Sequence, residues 1–372
     1  MKITRPTLLI DEAKCRNNIR RMADRAASNG LIFRPHFKTH QSLEVGEWIR
    51  EAGADQCTVS SVQMAGYFAD GGWKDITVAF PLNALEVEEI NRIAGKAQLN
   101  VLAIEPESLL LLLKDLRNPV GVFIEIDAGY HRTGVDPSHY GEIDAILAVI
   151  SSSRFLSFKG FLTHAGQSYA ARSKEAILKV HEAGSTIMRQ VGEHYHKQFP
   201  DLVVSSGDTP ACSVAEHFDG IDEMRPGNFV FYDIMQRDIG SCSPEDIAVA
   251  MACPVVAVLK DRREIIVHCG GVHLSKDFLK RADGSPTFGD VVRIDDHGWE
   301  TVIHGYAKSL SQEHGILSVD DELLNSAKVG DVLGILPVHS CMTADCMGEY
   351  YTLEGRRISM MRKAGALAEL LS

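Results

Sequence analysis

The sequence lacks the features of a membrane or secreted protein. No apolar run reaches about 18 residues, the length that a membrane helix needs, and no basic start followed by an apolar stretch suggests a signal peptide. The eight cysteines follow no compact spacing, which favours reduced thiols over a disulfide framework in a chain of 372 residues. We therefore expect a cytoplasmic protein with no membrane partner.

The sequence also lacks an excess of positive charge and a dinucleotide-binding motif. Its formal net charge is -12, whereas non-specific nucleic-acid binding requires a basic surface that releases counterions from phosphates. No Gly-x-Gly-x-x-Gly motif follows a predicted strand, so the dinucleotide-binding form of an open doubly wound sheet has little support. No nucleic-acid partner is expected.

Strand and helix patterns alternate through the first part of the chain. Alternating βα units predict a parallel sheet, and eight of them can close into a (β/α)8 TIM barrel of about 250 residues. An open doubly wound sheet is the competing interpretation. The eight predicted strands lie at 31–33, 56–60, 75–80, 98–103, 120–127, 156–164, 202–206 and 222–225.

The pattern changes after residue 238, where a turn-rich connector precedes a region poor in helix signals. We therefore divide the sequence into a barrel at 11–245 and a mostly β second domain at 246–372, which a strand in residues 1–10 could join. The elements predicted for the second domain are strands at 248–259, 264–268 and 332–336 and a helix at 362–371.

Residues 31–40 begin as a buried strand and end in basic side chains around Lys38. Alternate residues of an extended chain share a face, so four side chains are expected to point the same way: Arg34, His36, Lys38 and His40. Neighbouring positive charge lowers a lysine pKa, and a neutral lysine can form an imine with a carbonyl group. The same cations can attract a phosphate. The alternative is a strand end with ordinary basic surface residues.

Other polar loops follow the predicted strands. Barrel enzymes carry their active sites at the carboxyl ends of the strands, and loops after the last two strands often bind phosphate. These positions hold Arg132, the group His164, Gln167 and Tyr169, the run 207–211, and the run 225–228. Each loop alone is a weak signal, and their common end of the barrel is what favours a site.

Residues 34–40 resemble the pyridoxal-phosphate (PLP) lysine motif of the D-threonine aldolase and D-serine dehydratase family. The likeness continues at 125–127 with Arg132 and at 164–169, 206–210, 225–227 and 339–341. That family shares the alanine-racemase fold, a PLP-binding barrel followed by a β domain, and its members commonly form homodimers. The resemblance therefore implies the same architecture here.

The resemblance also implies roles for individual residues. Lys38 would hold the cofactor covalently, Tyr169 would face the pyridine nitrogen, and Arg132 would lie near the phenolic oxygen. A neutral phenol does not stabilise a pyridinium as a carboxylate does, so the enzyme would need help elsewhere. The remaining cofactor-binding residues would be Gln167 and, around the phosphate, Gly207, Asp208, Thr209, Gly227 and Asn228.

The help that a neutral Tyr169 makes necessary is expected from His339 and Cys341. In an extended segment they share a face, and imidazole with thiolate suits zinc, although a buried histidine beside a small cysteine is the alternative. The resemblance favours a metal, Zn2+ or another divalent ion. Aldolases of the family carry aspartate at the second position, so Cys341 favours the dehydratase branch.

The expected activity is loss of water from a D-3-hydroxy amino acid, giving a keto acid and ammonia, with Lys38 as the base that removes the α-proton. Retro-aldol cleavage to glycine and an aldehyde is the first alternative. An amino-acid racemase and a non-catalytic PLP-binding protein are further alternatives.

Overall fold

The computed structural model describes residues 2–295 and 297–361, and the predicted helix at 362–371 lies outside them. The chain folds as two compact units. Residues 14–38 and 47–246 form the barrel unit. Residues 2–13, 39–46 and the described residues from 247 onward form the second unit, which includes the first strand, β1 (Thr7–Ile10).

The barrel unit is built on a parallel sheet. Within the described residues its strands are β2 (Ile32–Phe33), β3 (Cys57–Val59), β4 (Asp75–Pro81), β5 (Gln98–Ala103), β6 (Val120–Glu125), β7 (Leu156–Leu162), β8 (Val203–Ser206) and β9 (Glu223–Met224). They pair in the order β2-β9-β8-β7-β6-β5-β4-β3, so neighbours in sequence are mostly neighbours in the sheet.

The chain that follows β2 joins the two outer strands of this sheet. The Phe37 amide donates to the Thr58 carbonyl at 2.8 Å, and the Thr58 amide donates to the Pro35 carbonyl at 2.9 Å. These bonds form a parallel bridge between His36 and Thr58 and close the barrel that the alternating pattern predicted. The same bonds fix the backbone immediately before Lys38.

Polar residues cap helices of the barrel and so mark where each of these helices begins after a strand. Ser61 caps one helix by accepting from the Met64 amide, and Ser173 caps another by accepting from the Ala176 amide. No helix among the described residues has the length and apolar character needed to cross a membrane. The helices are α1 (Glu12–Ser28), α2 (Leu43–Glu51), α3 (Val62–Asp70), α4 (Val87–Ala94), α5 (Pro106–Leu112), α6 (Tyr140–Ser151), α7 (Lys174–Tyr195), α8 (Thr209–Val214) and α9 (Ile234–Asp238).

A buried ion-pair network fills one layer of the barrel interior. The Arg34 guanidinium binds the Glu223 carboxylate at 2.6 Å and the Asp75 carboxylate at 2.7 Å. Burial alone would lower the pKa of Arg34, but the two carboxylates outweigh it and raise the pKa. Glu223 also accepts from the Ser205 hydroxyl. The buried Arg34 charge is therefore compensated by carboxylates.

Replacing Glu223 with alanine is expected to lower the free energy of unfolding by about 3–5 kcal/mol, because Arg34 then stays buried with half its compensation. Asp70, which pairs with Arg92 and Lys96 at the surface, is the matched control. Asp70→Ala should cost no more than about 1 kcal/mol. Urea denaturation measures both variants, and equal losses would contradict a structural role for the buried pair.

The second unit is mostly antiparallel β structure. The sequence patterns indicated only part of it, because several of its strands are short and interrupted by glycine. The described strands are β10 (Val249–Leu259), β11 (Glu264–His268), β12 (Leu279–Lys280), β13 (Pro286–Thr287), β14 (Gly289–Asp295), β15 (Gly298–Trp299), β16 (Gly305–Leu310), β17 (His314–Val319), β18 (Val332–Pro337), β19 (Glu349–Thr352) and β20 (Arg357–Ser359), and the helices are α10 (Gly271–Leu274), α11 (Asp321–Ser326) and α12 (Ser340–Met347).

The strands of the second unit close on themselves. They pair in the order β11-β17-β16-β14-β18-β10, and β10 pairs again with β11. On the other edge of β10 lies β1, antiparallel and fully buried, followed by β19 and β20. The result is an antiparallel barrel, which confirms the predicted β-rich domain.

Candidate active site

Lys38 lies at the carboxyl end of the first barrel strand, directly after a stretch of backbone that is fixed by packing and hydrogen bonds. The preceding residue, Phe37, is fully buried, with its ring 4.8 Å from that of Phe68 and 4.7 Å from that of Trp73. The Lys38 amide donates to Nδ1 of His36 at 3.3 Å. An exposed lysine side chain thus extends from a rigid support.

The prediction that four basic side chains share one face was wrong. The strand ends at Phe33, so the alternation on which the prediction rested does not continue. Arg34 turns into the barrel interior and pairs with carboxylates. His40 belongs to the second unit, where burial lowers its pKa to about 3, so it carries no charge at neutral pH.

Positive charge nevertheless collects at this end of the barrel. Burial, together with the charges of Lys38, Arg132 and Arg225, lowers the pKa of His164 to about 3. The neutral ring donates from Nδ1 to the Gly207 carbonyl at 3.1 Å, which leaves Nε2 without a proton. Tyr130 lies between His164 and Arg132, since its ring is 5.8 Å from that of His164 and 5.3 Å from the Arg132 guanidinium.

The loops after β8 and β9 form a backbone cradle. A Cβ atom on Gly207 would lie 2.4 Å from the Arg225 amide nitrogen, so only glycine allows this close approach. The Thr209 amide donates to the Tyr169 hydroxyl at 3.4 Å, and the Thr209 hydroxyl accepts from the Gly227 amide at 3.3 Å. The predicted residues of the two loops and Tyr169 therefore do come together.

A buried cation lies beneath this cradle. The Arg225 guanidinium donates to the Thr163 carbonyl at 2.6 Å and to the Ser205 hydroxyl, and burial lowers its pKa to about 10. It remains charged at neutral pH and is not neutralised by a direct carboxylate contact in the described structure. A loop rich in backbone amides above a buried arginine suits an anionic group such as a phosphate.

Two of the predicted cofactor residues use their side chains within the protein. The Asp208 carboxylate caps α8 by accepting from the Ala211 amide at 2.8 Å and also accepts from the Ser168 hydroxyl at 2.7 Å. The Asn228 side chain donates to Asp233 at 2.8 Å. Burial raises the pKa of Asp208. What these two residues can offer a ligand is therefore mainly backbone.

Gln167 lies beside the same end of the barrel. Its side-chain amide donates to the Ala128 carbonyl at 3.2 Å, and its buried Oε1 accepts no hydrogen bond within the described residues. A buried acceptor without a donor is costly, so this oxygen suits a ligand that carries a hydroxyl or an N–H group.

Tyr232 was missed by the sequence reasoning. It is buried, its hydroxyl lies 3.0 Å from that of Ser213, and burial raises its pKa. Its φ of 49° is in the left-handed region, which a non-glycine residue seldom occupies. Nothing in the local sequence signals such a backbone, because no glycine or turn motif marks the position.

His339 and Cys341 lie in the second unit at the start of a helix. The prediction of an extended segment was wrong, because His339 is the cap of α12 and Cys341 lies in its first turn. Nδ1 of His339 is 3.1 Å from the Asp277 carboxylate, a contact that lowers the pKa of Asp277. Sγ of Cys341 is 3.2 Å from the Thr39 hydroxyl. His339 and Cys341 thus each contact a defined partner, and no local sequence motif predicts these contacts.

A second group of possible metal ligands consists of His268, His273 and Glu313. Both Nε2 atoms lie 3.5 Å from the same Glu313 oxygen. However, Nδ1 of His273 accepts a hydrogen bond from the Gly270 amide at 3.1 Å, so the proton of the neutral ring is on Nε2. A nitrogen that carries a proton cannot bind a metal, and this arrangement favours a hydrogen-bonded cluster.

Comparison with known proteins agrees with this geometry. Residues 10–234 match the family model of the alanine racemase N-terminal domain, and residues 248–353 match that of a serine dehydratase domain. The chain is 30% identical to a D-serine dehydratase of Dictyostelium discoideum, covering 94% of this chain and 93% of the relative. This chain belongs to the D-serine dehydratase family. Members of this family are PLP-dependent lyases with an alanine-racemase-like fold.

A second relative is named for a different substrate. The chain is 31% identical to a D-threo-3-hydroxyaspartate dehydratase of a Delftia species, covering 94% of this chain and 93% of the relative. A solved structure of that dehydratase superposes with a TM-score of 0.89 at 27% identity, covering 97% of this chain and 98% of that one. A variant of it with one cysteine changed to alanine is described as metal-free, and in another variant the histidine two positions earlier is changed to alanine. His339 and Cys341 have the same spacing.

Proposed function

We propose that this family member is a PLP- and metal-dependent lyase that removes water from a D-amino acid with a 3-hydroxyl group, yielding a 2-keto acid and ammonia. The observation that carries the proposal is full-length similarity to two dehydratases whose named substrates both fit this description. The geometry of each unit supports it, since one fits an anionic aldehyde cofactor and the other offers an imidazole and a thiol.

The barrel unit would hold PLP through the predicted residues. Lys38 would bind it covalently, while Arg132, Gln167 and Tyr169 would contact its ring. Gly207 is essential to the fit, because its missing side chain leaves room for the backbone of the two loops to approach. The phosphate would lie on the loops after β8 and β9, against Gly207, Asp208, Thr209, Gly227 and Asn228. The Thr209 and Gly227 amides would exchange their long hydrogen bonds of 3.4 and 3.3 Å for bonds to the phosphate.

Lys38 would also move the proton. PLP, when bound, withdraws electrons from the α-carbon and so acidifies its hydrogen. The Lys38 amine would take that proton on Nζ. The charges of Lys38 and Arg132 both act on His164, so the two side chains lie at the same end of the barrel. His164 is neutral, with Nδ1 committed to Gly207, so it is not expected to supply a proton from that atom.

The second unit would assist departure of the hydroxyl group. His339 and Cys341 would hold the metal, which we propose is zinc because imidazole and thiolate are ligands that zinc favours. Zinc, when bound, acts as a Lewis acid that makes a hydroxyl a better leaving group. The enamine released after loss of water takes up one water molecule and yields the keto acid and ammonia. Two protein ligands leave open coordination positions for substrate and water.

Three broader predictions stay proposals. We expect a homodimer, as the resemblance implies. We expect a cytoplasmic location, which is supported by the eight cysteines, none of which is disulfide-bonded in the described structure. We also keep the division into 11–245 and 246–372, with residues 1–10 added to the second part, as the functional division of the sequence.

A product assay tests the proposed activity. Purified protein loaded with PLP is given D-serine, D-threonine or D-threo-3-hydroxyaspartate, with L-serine as the stereochemical control, before and after metal removal. We expect 2-keto acid and ammonia in equal amounts from at least one D-substrate, with none from L-serine. Glycine plus an aldehyde would identify an aldolase instead, and interconversion of enantiomers without ammonia would identify a racemase.

A further inference from the structure

The His339 ring is held by a carboxylate on the side away from Nε2. Oδ2 of Asp277 lies 3.1 Å from Nδ1. A carboxylate can only accept, so Nδ1 carries the proton and Nε2 presents a lone pair. Metal-binding histidines usually donate their other nitrogen to a carboxylate or carbonyl in this way, which fixes the tautomer and the ring orientation.

The loop that carries Asp277 is itself fixed. Ser275 has a φ of 67°, in the left-handed region, and its hydroxyl donates to Asp277 at 3.3 Å. The Thr343 hydroxyl of α12 donates to the Leu274 carbonyl at 3.0 Å and so ties the loop to the helix that His339 begins. A strained backbone supported by these contacts places the carboxylate against the imidazole.

Cys341 has a corresponding partner. The Thr39 hydroxyl lies 3.2 Å from Sγ, and both residues are buried. A thiolate has no hydrogen to give, so the hydroxyl must be the donor whenever Cys341 binds a metal. A hydroxyl that donates to sulfur restricts the direction in which the remaining lone pairs of the thiolate point.

Thr39 is not on a loose segment. It begins residues 39–46, which belong to the second unit. Gln41 donates to Asp345 of α12 at 3.1 Å, and the Tyr350 hydroxyl donates to the His40 carbonyl at 2.8 Å. The segment is therefore attached both to α12 and to the following strand β19, and Thr39 keeps its position relative to Cys341.

We propose that Asp277 and Thr39 are positioning residues for the metal: Asp277 sets the tautomer of His339, and Thr39 orients Sγ of Cys341. Both act through a ligand and neither binds the ion. The inference rests on the proposed metal role of His339 and Cys341. It adds that metal affinity depends on two residues far from the ligands in sequence. Asp277 lies 62 positions before His339, and Thr39 lies 302 positions before Cys341.

Zinc affinity tests the proposal independently of activity. Chelator competition on the full chain measures Zn2+ binding to each variant, and thermal unfolding of the metal-free form verifies that each is folded. Asp277→Ala is expected to bind zinc about 10–100-fold more weakly, the usual loss when such a partner is removed. Asp277→Asn keeps an acceptor for Nδ1–H and should recover most of the affinity. Asp283→Ala is the matched control, because Asp283 accepts from Ser285 in an exposed turn of the same unit.

The same design applies to Thr39. Thr39→Val preserves shape and removes the hydroxyl, so zinc should bind more weakly, whereas Thr39→Ser should restore binding. With Co2+ in place of zinc, Thr39→Val should shift the thiolate-to-cobalt absorption, because the hydrogen bond to sulfur is lost. Asp277→Ala should leave that band in place at full metal occupancy.

The outcomes separate this inference from the proposed function. If the wild type binds zinc in a His339-dependent way but Asp277→Ala and Thr39→Val bind it equally well, the positioning roles are wrong and the metal site stands. If Asp277→Asn loses as much affinity as Asp277→Ala, Asp277 is itself a ligand and its positioning role is wrong. If the wild type shows no His339-dependent zinc binding, the metal proposal fails and this inference fails with it.

Discussion

Replacing Lys38 with alanine is expected to abolish formation of keto acid and ammonia. Two functions would be lost together, because the same Nζ is proposed to hold the cofactor and to remove the α-proton. General-base catalysis alone typically contributes about 10²–10⁴-fold to a rate, so the loss should be at least of this order. Initial rates with saturating PLP and the best substrate from the product assay measure it.

A chemical label distinguishes this loss from simple misfolding. Borohydride reduction of the holoenzyme should attach the cofactor to the peptide that contains Lys38, and the variant should lose this label while remaining folded. Lys74→Ala is the matched control, since Lys74 is an exposed lysine that precedes β4 at the opposite ends of the barrel strands. Label found on another lysine, or full activity in Lys38→Ala, would contradict the assignment.

The rigid support of Lys38 explains why one position can carry both functions. Phe37 packs against Phe68 and Trp73, and the chain on either side of His36 is bonded to Thr58. The flexible part is therefore the lysine side chain alone, which would stay within reach of the cofactor in the proposed reaction. A lysine on a mobile loop would lose this orientation each time it was released.

The barrel could be predicted because its signals are local and repeated. Each strand is a short apolar run, and each is separated from the next by a helix or loop, so the order of the parallel sheet follows from chain connectivity. Predicted strand 98–103 agrees with β5 at both ends, and predicted strand 120–127 extends two residues beyond β6. The carboxyl ends of these strands then indicated which loops meet.

The errors arose where short segments take their shape from distant parts of the chain. The alternation of basic residues fails after Phe33 because Arg34 pairs with two carboxylates, the half-buried Asp75 and the buried Glu223, which is 189 residues away. The helix Ser340–Met347 has no apolar stripe of helical period, so an extended segment was the simpler interpretation. In both cases the local sequence does not show the distant residues that the segment contacts.

The two proposed positioning residues could not be predicted for the same reason. Asp277 and Thr39 are ordinary loop residues by composition, and only the folded chain brings them to His339 and Cys341. Sequence motifs mark residues that bind ligands directly because those residue types are chemically restricted. Residues that orient them need only one polar atom in the right place, and many residue types supply it.

Replacing His339 or Cys341 with alanine is expected to reduce elimination to the level of metal-depleted wild type while PLP absorbance and borohydride labelling of Lys38 persist. The two roles should separate because the proposed cofactor residues belong to the barrel unit and the proposed metal ligands to the second unit. Zinc lowers the pKa of bound water from 15.7 to about 7 in favourable protein sites, equivalent to roughly 12 kcal/mol at about 1.36 kcal/mol per unit. Only part of this stabilisation need reach the transition state, yet even a third of it corresponds to a rate factor of about 10³.

Cys346 provides the matched control for the metal pair. It is an exposed cysteine on the same helix, five residues after Cys341, so Cys346→Ala removes a thiol without removing the proposed ligand. This variant should retain zinc and wild-type elimination rates, whereas Cys341→Ala should lose both. Added zinc should restore metal-depleted wild type but not the ligand variants at concentrations that saturate the wild type. Full elimination by protein from which metal has been thoroughly removed would show that the hydroxyl leaves without Lewis-acid help, and the second unit would then need another role.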